Sequence, residues 1–271
     1  MYLKFYELTQ PPFDLTPNPR FLFNSAKHRE AINHLLYGIR ERKGFVQLTG
    51  EVGAGKTTLC RALLEQLDSH FSTALLLTTV LDANELVKAI AAEFNLDSKG
   101  LDRLETLAAI NSFLIQQTER GKDTVLIIDE AQNFSDDLLE QVRQLSNIET
   151  DDRKLLQIIL IGQPELRERL NNPRLRQLRQ RITVRYHLKA LSAFEMGQYI
   201  KHRLELAGAN GAPYFSAAAL WRVFRYSHGV PRLVNALCDK ALLCGFVQQS
   251  KRISFSMVGR AIRELEGEIH A

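Results

Sequence analysis

Gly50-Glu51-Val52-Gly53-Ala54-Gly55-Lys56-Thr57-Thr58 fits the pattern G-x-x-x-x-G-K-[ST] without a gap. Its flanks decide the fold. Gly44-Phe45-Val46-Gln47-Leu48-Thr49 is a short apolar, β-favouring run that ends on Gly50, and Thr57 through Leu67 carries leucines at helical spacing. Strand, glycine loop and helix in this order form a cradle for phosphate. Glycines at 50, 53 and 55 let successive N–H groups turn inward, and the first turn of the helix adds the positive end of its dipole. Glu51, Val52 and Ala54 complete the loop. Lys56 is placed to reach the β- and γ-phosphates as a point charge, the Thr57 hydroxyl to ligate Mg2+, and Thr58 to serve structure. A glycine turn that happens to carry a lysine would give the same letters, so a second element is needed.

That element is Asp123-Thr124-Val125-Leu126-Ile127-Ile128-Asp129-Glu130, an apolar strand ending in two carboxylates. Beside a phosphate loop, the first acid sits next to the metal and the second polarises the attacking water. Asp129 is therefore assigned to magnesium and Glu130 to water, and the chain reads as a nucleoside triphosphatase using Mg2+; the nucleotide ATP is what the family resemblance below implies.

Composition sets wide bounds. At 271 residues and 45% hydrophobic content the chain can bury a full α/β core and still build a smaller second domain. A formal charge of +4 permits contact with nucleic acid or an anionic membrane surface and demands neither. Cys60, Cys238 and Cys244 fall in predicted helices without zinc or redox spacing, which reads as buried thiols in a reducing compartment. The N-terminus lacks a signal-type apolar core, and no uncharged apolar run reaches the ~18 residues of a membrane span. The expectation is a soluble, cytoplasmic protein.

Residues 10–23 hold too much proline for a helix and too many aromatics for a free tail, so residues 1–24 are expected to pack on the core. Ser25 caps a predicted helix from Ala26 to Arg42, Ser72–Thr79 reads as the second strand, and Asp82 caps a helix over Ala83–Phe94. Leu101–Arg120 is amphipathic, Ser135 caps a helix to about Asn147, and Lys154–Gly162 is a continuous apolar strand. Short helical pieces flank Pro173, and Ile182–Leu188 gives a fifth strand. Such alternation predicts a parallel five-stranded sheet flanked by helices, with ligand at the carboxyl ends of its strands. From Ser192 onward only helices are evident, at Ala193–Ala207, Ser216–Tyr226, Pro231–Val247 and Phe255–Leu265. The predicted division is a core over 25–190 and a helical lid over 191–271.

A phosphate-loop sheet followed by a small helical lid resembles the AAA+ ATPases. The resemblance implies that Gln163, at the end of the 154–162 strand, helps orient the water. It also implies an arginine just before the last core strand that reaches a neighbouring subunit's γ-phosphate; among the arginines of 174–181, Arg181 is the choice and Arg179 the alternative. Ser227-His228-Gly229-Val230-Pro231-Arg232 resembles the second sensor, which makes Arg232 the γ-phosphate sensor in cis. His28-Arg29-Glu30-Ala31 lies where these proteins contact adenine, and helix packing explains it equally well.

More narrowly, Pro12-Phe13, Pro19-Arg20-Phe21-Leu22, Asp129-Glu130-Ala131-Gln132, Leu160-Ile161-Gly162-Gln163-Pro164-Glu165-Leu166 and Gly229-Val230-Pro231-Arg232 resemble the ExeA/GspA group of secretion ATPases. They are similar too to the MshM-type ATPase of mannose-sensitive haemagglutinin pilus biogenesis, taken as the closer match because the sequence stops at the lid. The resemblance implies an ATPase that forms a homo-oligomer, as a ring or filament, and assembles a type IV pilus or type II secretion complex at the inner membrane. A DNA-binding ATPase of the transposition target-selector type is the alternative. The arginine cluster favours it, and the absence of a DNA module after the lid disfavours it. A nucleotide-binding scaffold without turnover is disfavoured by the presence of both Glu130 and Arg181.

Overall fold

The computed structural model describes residues 1–16, 19–77, 82–149 and 154–267. In chain order its elements are α1 (Tyr2–Phe5), α2 (Ala26–Arg40), β1 (Phe45–Gly50), α3 (Lys56–Gln66), β2 (Phe71–Leu76), α4 (Ala83–Glu93), α5 (Arg103–Glu119), β3 (Asp123–Ile128), α6 (Asp136–Leu145) and β4 (Leu156–Gly162). There follow α7 (Pro164–Arg169), α8 (Arg176–Arg181), β5 (Ile182–Leu188), α9 (Ala193–Leu206), β6 (Tyr214–Phe215), α10 (Ala217–Ser227), α11 (Pro231–Val247), β7 (Arg252–Ile253) and α12 (Phe255–Leu265). The expected strand at Ser72–Thr79 runs Phe71–Leu76, and Thr78 and Thr79 lie outside the described residues. The chain forms two compact units, one of Lys27–Gly50 with Leu59–Leu188, the other of Met1–Ala26, Glu51–Thr58 and Lys189–Ala271.

The first unit is built on a parallel sheet of order β2-β3-β4-β1-β5. Strands β1 and β4 are buried along their whole length, which is why their sequences read as continuous apolar runs instead of alternating ones. Register keeps the carboxyl ends level, with Leu76 beside Ile128, Ile128 beside Leu160 and Gly162 beside Thr49. Whatever follows β1, β3 and β4 in sequence therefore emerges along one edge of the sheet. Leu126, Ile128, Ile158 and Leu160 pack with Leu86, Ile90, Ile110, Leu114, Leu139 and Val142 of α4–α6. Each such buried side chain contributes about 1.5–3 kcal/mol relative to exposure. Helix α2 lies close on β1 because Gly38 has no side chain; a Cβ there would stand 2.3 Å from Val46 Cγ2. Asp82 and Asp102 close capping boxes with Glu85 and Glu105, and Ser135 caps α6, so the starts of α4, α5 and α6 follow directly from sequence.

In the second unit α9–α12 enclose their own core, joined by the two-residue parallel pairing of β6 with β7. Where sequence alone places residues 1–24 on the core, the structure packs Tyr2, Tyr6, Leu8, Phe13 and Phe23 of this segment among these helices. Tyr6, Leu8 and Phe13 pack with Leu191, Tyr199, Val234 and Leu242, and Phe13 meets Phe215 edge-on. Polar anchors hold the segment there. Tyr6 Oη donates to Leu242 O at 3.0 Å and to Ser250 O at 3.2 Å, and Tyr2 Oη donates to Asp239. Buried Arg203 covers the Phe21 ring at 4.7 Å and donates to Asp14 O at 3.2 Å.

Candidate active site

Gly50 is the last residue of β1, and no side chain fits there, since a Cβ would lie 2.8 Å from Leu188 O of the neighbouring strand. Glu51 and Val52 are exposed, while Gly53 and Gly55 have φ of +76° and +96°, the left-handed backbone that the loop's inward turn requires and that side chains resist. Ala54 is buried. Lys56 opens α3 and is only 5% exposed; its Nζ donates to Glu51 O at 3.0 Å, so the ammonium is folded back along the loop. Thr57 and Thr58 follow in the first turn, half-buried. This stretch groups with the helical unit through Arg232, the second residue of α11. The Arg232 N–H donates to Gly53 O at 3.2 Å, and a Cβ on Gly53 would come within 2.3 Å of Arg232 Cβ. The turn before α11 is equally tight: Gly229, at φ +77°, accepts from Leu191 N–H, and a Cβ there would reach 1.9 Å from Leu191 O.

In the sheet unit Asp129 follows β3 and is 2% exposed. Its N–H extends the β2 pairing by donating to Leu76 O at 3.0 Å, which fixes the backbone, and its Oδ1 accepts the Glu130 N–H at 2.9 Å. Its charge reaches Cys60 in α3, whose thiol is pushed up to about 12, first by burial and then by Asp129. Cys60, Cys238 and Cys244 are all unpaired and buried.

Glu130 has φ +54°, a strained value for a side-chain-bearing residue, and this turn swings its carboxylate toward the end of β4. There Oε2 accepts from Gln163 Nε2 at 3.2 Å and from Gln132 Nε2 at 2.6 Å. Gln132 Oε1 in turn accepts the Gln163 N–H at 3.0 Å. A carboxylate held by two amides, one from each strand end, keeps a fixed direction while its other oxygen has no hydrogen bond in this network. Sequence alone assigns Gln132 no role of its own; Gly162 gives it room, because a Cβ there would stand 2.8 Å from Gln132 Oε1.

Arg181 is not brought to these acids. It closes α8 at the amino end of β5, where the next residue, Ile182, pairs with Phe45 at the start of β1. The acids lie at the opposite ends of the strands, roughly 20 Å away for strands of this length. Its Nη1 donates to Ser146 Oγ at 2.8 Å. Arg179 is exposed and donates to Asn171 Oδ1 at 3.3 Å.

Residues 39–170 match the family model described as AAA domain. Over 270 residues, 98% of this chain, the sequence is 45% identical to General secretion pathway protein A of Aeromonas hydrophila. It covers 49% of that relative, so the chain spans about half the relative's length. Among solved structures, the ORC2 protein of Aeropyrum pernix in ADPNP–ADP complexes is similar at a TM-score of 0.71 and 17% identity, over 94% of this chain and 71% of that one. Cdc6p from Pyrobaculum aerophilum follows at 0.69 and 19%, over 93% and 70%. These likenesses agree with the parallel sheet, the glycine loop opening α3 and the helical C-terminal region: the chain has the AAA+ P-loop nucleoside triphosphatase fold.

Proposed function

We propose that the chain is an ATPase of the ExeA/GspA group that works as a homo-oligomer on a type II secretion complex, or on its type IV pilus counterpart, at the inner membrane. The observation that carries the reading is the Glu130 carboxylate held by the amides of Gln132 and Gln163 at the strand ends where this fold does its chemistry. The left-handed turn aims this carboxylate and the two amides hold it. The 45% identity to a general secretion pathway protein supplies the cellular setting. Among the described residues no helix is long and apolar enough to cross a membrane.

The donor set fits a magnesium nucleotide. The loop N–H groups and Lys56 would bind the phosphates, and Thr57 and Asp129 would hold Mg2+, which when bound neutralises charge on the phosphate oxygens. The described residues contain no cluster of three His, Cys, Asp or Glu side chains, and none is needed, because magnesium takes one or two protein ligands plus phosphate and water oxygens. Glu130 would orient the water and accept its proton, with Gln163 and Gln132 fixing that carboxylate. Arg232, tied by its backbone to Gly53, would report on the loop to α11. Arg181 would serve a neighbouring subunit, since its own strand ends lie out of reach.

The test is steady-state hydrolysis by the purified chain, beside Glu130→Gln. The native protein should turn over ATP, and the variant should bind it and stall. Hydrolysis at the native rate in Glu130→Gln would remove the role given to this acid. In cells, loss of the gene should stop export by the secretion apparatus or assembly of the pilus, and whichever fails identifies the machine served.

A further inference from the structure

On the face of the sheet unit where β1 pairs with β5 lies a cavity of about 330 Å³, roofed by α7 and α8. Gln47 stands beside Arg185 in register, and Thr49 beside His187. Arg167 and Arg179 close it from the helices and Asn171 from the turn after α7. Among the described residues no carboxylate lines it, and three arginines do.

Several details mark this as a recess rich in donors. Gln47 is 4% exposed in a strand otherwise filled with apolar side chains, and its buried Nε2 donates to no atom among the described residues. Leaving a buried donor unpaired is costly, and an apolar residue would have filled the position without that cost. Arg185 Nη2 donates to Arg179 O at 2.6 Å and Arg179 Nη1 to Asn171 Oδ1 at 3.3 Å, neutral acceptors that position the guanidinium groups and leave their charge uncompensated. Arg167 makes no hydrogen bond or ion pair with any described residue. His187 Nδ1 lies 3.1 Å from Thr49 Oγ1; when the hydroxyl donates there, Nε2 carries the proton and adds another donor.

We propose that this cavity is a second anion site, built from none of the residues of the loop at 50–58, and that it takes a small molecule bearing a phosphate or pyrophosphate group. Guanidinium forks match phosphate oxygens two at a time, and three of them favour a ligand of charge −2 or beyond over a single carboxylate. The volume admits more than one phosphate group. Gln163 is the N-cap of α7 and Arg167 sits one turn further along the same helix, so a ligand held here grips the element that positions the Glu130 carboxylate.

The experiment uses the full chain carrying Lys56→Ala, which removes the loop's lysine, and follows inorganic pyrophosphate and orthophosphate by equilibrium dialysis and 31P NMR. Pyrophosphate should bind this background, and its affinity should fall by at least about tenfold in Arg167→Gln/Arg185→Gln, both exposed positions where folding is not at stake. Gln47→Leu should lose about three- to tenfold; if that variant fails to fold, the arginine pair decides alone. Competition by ADP with the same dependence on Arg167 would identify a nucleotide phosphate as the source, and failure of ADP to compete would identify a smaller phosphate compound. Native pyrophosphate affinity in the arginine double variant overturns the proposal. So does displacement by citrate with no binding of pyrophosphate, or a site that accepts a single-stranded oligonucleotide and neither phosphate compound.

Discussion

Replacing Gln132 by leucine should leave nucleotide binding intact and slow ATP turnover by about ten- to hundredfold. The figure follows from the geometry. Gln132 donates to Glu130 Oε2 at 2.6 Å and accepts the Gln163 N–H at 3.0 Å, so its amide ties the carboxylate of one strand end to the backbone of the next. A hydrogen bond to a charged group is worth about 1.5–3 kcal/mol, and each ~1.4 kcal/mol lost from the transition state costs a factor of ten in rate. Glu130 keeps only the longer bond from Gln163, at 3.2 Å, and its φ of +54° gives the backbone a reason to relax once the shorter one is gone. Gly162→Ala attacks the same contact from the other side, since the added Cβ would press to 2.8 Å on Gln132 Oε1 and 2.9 Å on Leu166 Cδ2. It should lower kcat comparably and cost stability as well. A coupled assay of kcat and KM, beside nucleotide affinity measured by fluorescence, separates positioning from binding. A folded Gln132→Leu protein whose kcat stays within about twofold of native would refute the reasoning, because the lost bond would then contribute nothing to the transition state.

Lys56→Ala should weaken ATP binding and abolish turnover; unchanged affinity and rate in a folded variant, read by calorimetry and phosphate release, would remove Lys56 from the phosphates. Arg181→Ala should bind ATP and turn it over about 10³- to 10⁵-fold more slowly, the worth of an arginine finger. Mixing it with Glu130→Gln should restore part of the activity, since one subunit lends its arginine to the other's competent acid; mixed assemblies that stay inactive argue for Arg179 or another source. Gly229→Ala, with φ +77° and a Cβ 1.9 Å from Leu191 O, should destabilise the helical unit by more than about 3 kcal/mol in urea unfolding, and a loss under about 1 kcal/mol would contradict the packing of that turn. Burial pushes the Tyr6 hydroxyl from its usual value near 10 up to about 12, with Cys244 adding to the shift. Because the folded value lies above the unfolded one, its stabilising contribution is complete below pH ~10 and is lost as pH rises through ~12. Tyr6→Phe should flatten that part of the stability profile in alkaline denaturation; an unchanged profile would assign the pH dependence elsewhere.

The sheet was legible because its strands announce themselves by composition. Phe45–Gly50, Asp123–Ile128 and Leu156–Gly162 are apolar runs bounded by glycine or acid, and a parallel sheet covered on both faces requires that pattern. Helix starts were legible at Asp82 and Ser135 for a similar reason, since each cap is a local chemical event. Gln132 was not legible as a partner of Glu130. The bond spans only two positions but depends on the left-handed turn at Glu130, which no residue type announces, and the second tie, to Gln163 31 positions later, depends on strand register. The destination of the N-terminal aromatics was hidden in the same way: composition requires burial, and the choice of core depends on carbonyls of Leu242 and Ser250 that have no signature at Tyr6. Strands β6 and β7 have two residues each, too few for any period to show.

Tyr2 meets Asp239 across 237 positions, and Tyr6 meets Leu242 across 236. A ribosome adding about 5–20 residues per second needs roughly 12–47 s between the two ends of such a contact. For that interval the first aromatic side chains have no permanent partner, while the sheet strands lying between them in sequence have already been made. The core of the helical unit can thus close only after the sheet strands have been made, and it closes around side chains made before them. A fragment beginning after residue 24 would carry all of α9–α12 and still lack Tyr6, Leu8 and Phe13 from the middle of their packing.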